Sequence, residues 1–162
     1  MVNSNRAVIN ASPLIMLGKI EHLELLESFA ASIVVPRSVI QEIGAGSDID
    51  MHTEATLIWA ELRAVADLPL LPSVVNWDLG AGESQVISRC LGDHSIAVLD
   101  DGEARACAQA HGIPLIGTLG IILRARKQGL IPAARPLVDR LLAVGSRLNG
   151  GLIEAALEQV GE

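Results

Sequence analysis

Four short apolar runs of the sequence predict β-strands. Each run is almost wholly hydrophobic, without alternating polar positions, and this indicates strands buried on both faces, as in a parallel sheet with helices on either side. The runs are the region of Val8, Ile33-Val34-Val35, Ile96-Ala97-Val98-Leu99 and Pro114-Leu115-Ile116. The sequence therefore predicts a central parallel sheet.

Segments with helical periodicity lie between these runs. They cover residues 12–18, 21–29, 36–44, about 51–64, 82–91, 102–111, 118–128 and 136–144, and a final amphipathic helix begins near Asn149 after a flexible joint. The stretch from Pro69 to Trp77 lacks such a pattern and is expected to be an irregular or short extended connection. Because strands alternate with helices, we predict an α/β fold.

Turn-forming and polar residues mark the predicted ends of two helices that follow strands. Ser12 can cap the first helix, with Pro13 at its first helical position. Pro36 can start the helix that follows the second strand, and Gly44 and Gly46 can end it. These junctions place polar side chains at the carboxyl edge of a parallel sheet, where α/β proteins bind their ligands.

Length and composition fit a single domain over residues 1–162, with residues 149–162 as an appended C-terminal helix. Half of the residues are apolar and 19% are charged, which excludes a long disordered segment. The longest apolar stretches are too short to span a bilayer, and the N-terminus has no region typical of a signal peptide. We expect a cytoplasmic protein without a membrane partner, in which Cys90 and Cys107 are buried free thiols.

The charge of the chain is unevenly distributed. The formal net charge is −7, which argues against a protein held on nucleic acid by charge alone. Residues 121–149, however, carry six basic side chains against Asp139 alone. This segment can contact phosphates, although a solvated helix face has the same composition. Aromatic residues are too few to predict a base-stacking platform.

Asn10 and several acidic residues occupy comparable positions next to the predicted strands and helix starts. Asn10 closes the first strand, and Asp100 and Asp101 follow the strongest one. Glu42 lies beside the apolar stripe of one helix and Glu83 lies in the first turn of another. If these oxygens share one crevice, they are the candidate catalytic residues.

Each acid also has a purely structural interpretation. Glu42 can be a solvated flank, Glu83 can complement a helix dipole, and Asp at a strand–helix junction serves as an N-cap. One residue is enough for capping, however, and two adjacent carboxylates repel each other unless a cation lies between them. Arg105 is one candidate for that charge, and a metal ion is the other.

A hard cation suits this set of ligands. Mg²⁺ or Mn²⁺ takes oxygen ligands and keeps several waters, so a few carboxylates from separate strand ends suffice. Such an ion promotes phosphodiester hydrolysis. The metal-ligand candidates are Asn10, Glu42, Glu83 and Asp101. The scattered histidines do not form a zinc pattern with the cysteines, and no Gly-x-Ser-x-Gly motif indicates a serine hydrolase.

The turn Gly117-Thr118-Leu119-Gly120 follows the last predicted strand and starts a helix that Thr118 can cap. Its backbone N–H groups are one place to receive a phosphate, and a tight turn with close helix–strand packing is the alternative. The candidate substrate-binding residues are Ser12 and Thr118 at the two helix starts and Arg124 in the basic segment.

Five stretches occur in a specific order. They are Val8-Ile9-Asn10-Ala11-Ser12-Pro13-Leu14-Ile15, Val35-Pro36-Arg37-Ser38-Val39-Ile40-Gln41-Glu42-Ile43, Leu79-Gly80-Ala81-Gly82-Glu83-Ser84-Gln85-Val86-Ile87, Leu99-Asp100-Asp101 with Ala104-Arg105, and Gly117-Thr118-Leu119-Gly120 with Arg124-Ala125 and Gly129-Leu130. Together they span residues 8–131. The ordered series resembles PIN-like domains of a small prokaryotic branch that is related to toxin–antitoxin ribonucleases.

This resemblance implies an α/β/α sandwich with a central parallel sheet and a divalent-metal site that cuts single-stranded RNA. Glu42, Glu83 and Asp101 or Asp100 match the acidic positions of the family. Asn10 stands where the family has its first aspartate; an amide oxygen can still bind a hard ion, but the site loses one negative charge. Toxin relatives also pair with an antitoxin protein that covers the site.

Two functions follow, from different classes. One is an Mg²⁺- or Mn²⁺-dependent endoribonuclease that acts on single-stranded RNA. In one form of this hypothesis the protein is the toxin of a toxin–antitoxin pair. The other is a PIN-like module with weakened or lost catalysis that binds nucleic acid or regulates. The helices predicted at 51–64 and 136–144 are apolar over broad faces, from which we also predict a homodimer.

Overall fold

Five short strands form one parallel sheet in the computed structural model of the chain, which describes residues 6–46 and 49–162. Residues 1–5, in which no signal peptide is predicted, and residues 47–48 of the predicted single domain lie outside the described residues. The strands are β1 Arg6–Ile9, β2 Ser32–Pro36, β3 Ala64–Val65, β4 Ile96–Val98 and β5 Leu115–Ile116. Their spatial order is β3-β2-β1-β4-β5.

Ten helices flank the sheet in the described part of the chain. They are α1 Ala11–Lys19, α2 Glu24–Phe29, α3 Arg37–Gly44, α4 Met51–Glu61, α5 Pro72–Val75, α6 Ala81–Asp93, α7 Gly102–Ala110, α8 Thr118–Lys127, α9 Arg135–Ala143 and α10 Gly150–Glu158. The predicted α/β/α sandwich with a central parallel sheet is confirmed. None of these helices is long and apolar enough to cross a membrane.

The central strands lie deep in the core. Ala7, Val8 and Ile9 of β1 have no exposed surface, and the same holds for Ala97 and Val98 of β4. Burial on both faces explains why these strands are continuously hydrophobic, since no side of them meets water. The two predicted thiols, Cys90 and Cys107, are free and buried, as expected.

Two connections differ from the sequence-based expectation. The stretch around Pro72 contains one helical turn, because proline with its fixed φ is suited to a first helical position. Residues Ala64–Val65 form a strand that was not predicted, and α4 accordingly ends at Glu61. These two residues follow the helical pattern of α4 without an intervening glycine or proline, so the sequence does not mark where the helix ends and the strand begins.

The N-caps of α1 and α8 were predicted two residues and one residue too late, whereas the predicted first residue of α8, Thr118, is confirmed. Asn10 and not Ser12 is the N-cap position of α1, and its side chain makes no capping hydrogen bond. Pro13 is therefore the third helical residue, which is tolerated because the first N–H groups of a helix lack intrahelical acceptors. Gly117 and not Thr118 precedes α8. The hydroxyl groups of Ser12 and Thr118 do not cap their own helices and are therefore available for contacts outside them.

The order of the strands determines where a site can form. The chain leaves β1 toward β2 on one side and returns to β4 on the other, so β1 and β4 flank the point at which the strand order reverses. Asn10 follows β1 and Asp100 follows β4 shortly after its end, and the Asn10 N–H donates to the Val98 carbonyl at 3.1 Å. The two residues thus lie at the carboxyl edge where α/β proteins bind ligands.

Candidate active site at the carboxyl edge of the sheet

A cleft of about 900 Å³ opens at this edge. Asn10, Glu83, Asp100 and Asp101 all line it, and we call these four residues its acidic end. They come from three separate strand–helix or loop–helix junctions. Glu42 is exposed and does not line the cleft, although it lies on the neighbouring helix α3.

The amide oxygen of Asn10 has no hydrogen-bond partner among the described residues. The residue is only 3% exposed, and its Oδ1 atom is buried. A buried acceptor without a partner costs about 1–3 kcal/mol. Because Asn10 lines a cleft with carboxylates, its oxygen is a candidate to bind a water molecule or a cation.

Asp100 is held by three hydrogen bonds from two helices. Its Oδ1 accepts from the backbone N–H of Thr118 at 2.8 Å, and its Oδ2 accepts from the Thr118 hydroxyl at 2.6 Å and from the Ser12 hydroxyl at 3.2 Å. The carboxylate thus joins the end of β4 to the starts of α1 and α8. It also accepts from the backbone N–H at the start of α8, which was one of the places expected to bind a phosphate.

Close approach of the chain makes this arrangement possible. A Cβ atom at Gly117 would lie 2.9 Å from Asp100 Oδ1 and 3.0 Å from a guanidinium nitrogen of Arg105. A Cβ at Gly120 would lie 2.6 Å from the Ile116 side chain. The tight turn with close helix–strand packing, the structural alternative for this turn, therefore accounts for both glycines.

Asp101 has a different role from its neighbour Asp100. It is the N-cap of α7, where Oδ2 accepts from the Ala104 N–H at 3.0 Å, as predicted for an aspartate at this junction. No hydrogen bond from a described residue reaches Asp101 Oδ1. The residue is exposed on the wall of the cleft, so that one carboxylate oxygen remains available to a ligand.

Glu83 is partly buried among other acids. Burial raises the pKa of its carboxyl above the ordinary value, and the negative charge of Asp101 raises this pKa further. Glu42 and Glu103 add smaller effects in the same direction, whereas the Gly80 N–H lowers it. Four carboxylates are therefore close enough to influence each other, and Glu103 was not recognised from the sequence because a first-turn glutamate looks like a dipole-favoured residue.

Gly82 lets α6 approach both α3 and Asn10. A Cβ at this position would lie 3.2 Å from Val39 Cγ2 and 3.5 Å from Asn10 Oδ1. The absence of a side chain brings Glu83, the next residue, toward the acidic end and close to Glu42 on α3. The sequence pattern included a glycine directly before the first-turn glutamate. The close packing of α6 against α3 and Asn10 explains why that residue is a glycine.

The basic residues near the acids do not neutralise them. Arg105 lines the cleft, but its guanidinium donates to the Leu99 carbonyl at 2.9 Å, and no ion pair joins it to a described acid. Arg124 lies outside the cleft, with its guanidinium 5.0 Å from the ring centre of Phe29. Arg147, which was not among the candidates, does line the cleft.

The donor set at the acidic end fits a hard cation that keeps part of its water. Its atoms are an unpaired amide oxygen and carboxylate oxygens, the ligands that Mg²⁺ and Mn²⁺ prefer. No three described His, Cys, Asp or Glu side chains form a metal cluster by themselves. The fit therefore depends on Asn10 and on water-mediated contacts, which suit Mg²⁺ because it dehydrates reluctantly.

Comparison with known families is in agreement with this architecture. The family model DUF3368, described as a PIN domain, matches residues 6–162. Among curated proteins, none matches the chain. The match covers nearly the whole sequence, including every strand and all residues of the acidic end. The chain therefore belongs to the PIN domain family.

Proposed function

We propose that this chain is a divalent-metal-dependent endoribonuclease that cuts single-stranded RNA at the acidic end of the cleft. The PIN domain is a nuclease-type fold that generally uses divalent metal ions and suggests nucleic acid binding. What we propose beyond the family is the substrate, RNA, the metal, Mg²⁺ or Mn²⁺, and the residues of the site.

The buried, unpaired amide oxygen of Asn10 is the observation that carries the proposal. The residue lies at the end of the central strand and lines the cleft together with Glu83 and Asp101. A cation at this position would satisfy Asn10 Oδ1 and reduce the repulsion among the carboxylates at the same time. No side chain of the described residues donates to Asn10 Oδ1, and Arg105, which lines the cleft, forms no ion pair with these acids.

Asn10, Glu83 and Asp101 would hold the ion, with Glu42 acting through water from the exposed face of α3. When bound, the ion would activate a water molecule and neutralise the charge that develops on the phosphodiester. Asp100 would not be a ligand, because its oxygens already accept from Thr118 and Ser12. Its role would be to fix the relative positions of α1 and α8, which border the cleft.

Cleavage of a labelled single-stranded RNA with and without Mn²⁺ tests the activity. The natural chain should cut only with metal, and Glu83→Gln should lose most of this activity because it removes a charged ligand. Glu54→Gln is the matched control, since Glu54 is exposed on α4 and outside the cleft. Metal-independent cleavage, or equal loss in both variants, would contradict the proposal.

A catalytically weakened or inactive nucleic-acid-binding or regulatory module is the second candidate. Asn10 favours it, because an amide in place of a carboxylate removes one negative charge and weakens the attraction for a divalent cation. A natural chain that binds RNA without cutting it, together with an Asn10→Asp variant that cuts in the presence of Mn²⁺, would establish this function instead.

The role of a toxin paired with an antitoxin protein is proposed from the resemblance to toxin ribonucleases. Expression of the chain in bacteria should then arrest growth, and Glu83→Gln should relieve the arrest at the same protein level. A cytoplasmic location is part of this proposal, since the RNA substrate is there and the two cysteines are free. Arrest that persists in Glu83→Gln would separate toxicity from cleavage.

A homodimer is proposed from the apolar surface of α4. Met51, Ile58 and Leu62 at this helix are 76%, 68% and 81% exposed, which is unusual for three large hydrophobic side chains in one region. The apolar face of α9, in contrast, is packed in the core through Leu137 and Leu141. Light scattering should give a dimer, and Ile58→Asp should convert it to a monomer.

A further inference from the structure

We propose that the cleft has a second binding subsite, for one nucleotide of the RNA strand that flanks the cleavage point. We use the name far end of the cleft for six lining residues that come from α8 and from the segment around α10, namely Leu123, Ser146, Arg147, Leu148, Leu152 and Gln159. Arg147 would contact a backbone phosphate, and the leucines would cover the neighbouring base. The inference rests on the proposed function for its substrate but not on the occurrence of cleavage.

The cleft has room for an occupant larger than a metal ion. Its volume of about 900 Å³ lies in the range of pockets that hold whole organic ligands, roughly 300–1,000 Å³. A hydrated cation at the acidic end would fill a small part of this volume. The remainder lies along α8 and the segment from Gly145 to Gln159.

The charge of the far end favours an anionic ligand. Arg147 is exposed and lines the cleft, and no ion pair or side-chain hydrogen bond engages it within residues 6–46 and 49–162. Two other cations of the basic segment form ion pairs: Arg126 is 3.4 Å from a Glu162 carboxylate oxygen, and Arg135 is 3.5 Å from one of Glu154. Arg147 is thus a guanidinium that remains available to a phosphate in the cleft.

The apolar side chains of the far end suit a base. Leu152 is 57% exposed although it lines the cleft, and Leu123 and Leu148 lie beside it on the same lining. Ser146 and Gln159 add groups that can bond to base edges. None of the described residues that line the cleft is aromatic, so the subsite should contact bases without the strong stacking that aromatic platforms provide.

An unpaired arginine next to leucines favours a nucleotide over a wholly apolar occupant. An apolar segment of a partner protein would leave Arg147 partly desolvated without a counter-charge, which is unfavourable. A nucleotide supplies both the anion and the apolar surface. The far end and the acidic end would then hold successive parts of one strand.

Fluorescence anisotropy with a short fluorescein-labelled single-stranded RNA in EDTA tests the subsite without cleavage. Arg147→Ala should weaken binding about fivefold and should lower the slope of log Kd against log salt by about 0.7, the value for one phosphate contact on a single strand. Arg147→Lys should restore the slope. Leu152→Ala should weaken binding about threefold with an unchanged slope.

Two matched controls remove the same groups outside the cleft. Arg140→Ala takes an exposed arginine from the same basic segment, and Leu142→Ala takes a leucine that is 41% exposed on α9. Both should bind RNA as the natural chain does. Melting curves of all variants show whether each is folded.

The results separate this inference from the proposed nuclease activity. Glu83→Gln should abolish cleavage with Mn²⁺ without weakening RNA binding in EDTA, whereas Arg147→Ala should weaken binding itself. A natural chain that binds RNA through Arg147 but never cuts would support the subsite and reject the nuclease. Equal RNA affinities and salt slopes for Arg147→Ala and Arg140→Ala would overturn it and leave an apolar protein segment as the occupant.

Discussion

Thr118 donates two hydrogen bonds to Asp100, one from its backbone N–H to Oδ1 at 2.8 Å and one from its hydroxyl to Oδ2 at 2.6 Å. The carboxylate thereby lies at the N-terminus of α8, where a negative charge is favourable. Asp101, the next residue, caps α7 with one oxygen and keeps the other for the cleft. Two adjacent aspartates therefore have different functions, one in holding the fold and one at the candidate site.

Substitution of the two aspartates should separate these functions. Asp100→Asn should lower the free energy of unfolding by about 1–3 kcal/mol, because an amide cannot accept all three donors. Asp101→Asn should change it by no more than about 0.5 kcal/mol, because Asn and Asp are equivalent N-caps. Urea denaturation gives both values.

Added Mn²⁺ makes the comparison sharper. The metal should raise the melting temperature of the natural chain and of Asp100→Asn by similar amounts, whereas Asp101→Asn should lose most of this rise. Equal stability of the two variants, or loss of the metal effect in Asp100→Asn alone, would contradict the assignment of Asp101 as the ligand.

Two glycines of α6 should respond to alanine with opposite signs. At Gly82 a Cβ would lie 3.2 Å from Val39 Cγ2, so Gly82→Ala should push α6 outward and lower the free energy of unfolding by about 1 kcal/mol. At Gly92 nothing lies within 4 Å, so Gly92→Ala should raise it by about 0.5–1 kcal/mol through helix propensity. Chemical denaturation of both variants measures the difference.

The Gly82→Ala variant also bears on the candidate site, since Glu83 would move with α6. Its metal-induced rise in melting temperature should be smaller than that of Gly92→Ala. A normal metal response in a destabilised Gly82→Ala protein would show that the close approach matters for packing alone.

Glu162 should make stability depend on pH in the acidic range. Its carboxylate accepts from the N–H groups of Ala134 at 2.7 Å and Arg135 at 3.0 Å, and these hydrogen bonds hold its pKa below the ordinary value of 4.5. Because the folded-state pKa is the lower one, the stabilisation is present above the unfolded-state pKa and is lost as the pH falls through the folded-state pKa.

Glu162→Gln should therefore be less stable than the natural chain at neutral pH, and the difference should shrink as the pH falls below about 4.5. Glu158→Gln, an exposed residue on α10, is the control and should show little dependence. Melting temperatures across this range give the comparison. A difference that is constant down to strongly acidic pH would mean that the charge of Glu162 has no role.

The fold was predictable because its central strands β1 and β4 are largely buried. Continuous apolar runs such as Ile96-Ala97-Val98 exist only where both faces of a strand avoid water, and helices follow each of them at recognisable turn residues. Ala64–Val65 was missed because no glycine or proline separates it from the helical pattern of α4. The N-caps of α1 and α8 were predicted at the wrong residues because Ser12 and Thr118 resemble caps but bond to Asp100 instead.

The candidate site was predictable to the level of strand ends and no further. The parallel arrangement of the strands brings Asn10 and Asp100 to one edge of the sheet, independently of the contacts that their side chains make. Which of Asp100 and Asp101 keeps a carboxylate oxygen free for a ligand depends on contacts with Thr118, which is distant in sequence. Arg147 lies in the joint before α10, and no local pattern indicates that such a joint folds over a cleft.

Restoring a carboxylate at position 10 gives the most direct test of the site. In Asn10→Asp, a buried charge without a hydrogen-bond partner joins Glu83 and Asp101, so the metal-free protein should unfold more easily, by about 1–3 kcal/mol. Metal should reverse this loss, since an ion at a hundred times its Kd stabilises the folded state by about 2.7 kcal/mol. Thermal melts with EDTA and with Mn²⁺ give both quantities.

Asn149→Asp is the matched control for this change. Asn149 is the N-cap of α10, its side chain accepts from the Leu152 N–H, and aspartate replaces asparagine there with little effect on stability. The rise on adding Mn²⁺ should be larger in Asn10→Asp than in the natural chain, and unchanged in Asn149→Asp. Equal rises in all three proteins would place the metal elsewhere. A larger rise with new RNA cleavage would show that the natural amide is what limits catalysis in this chain.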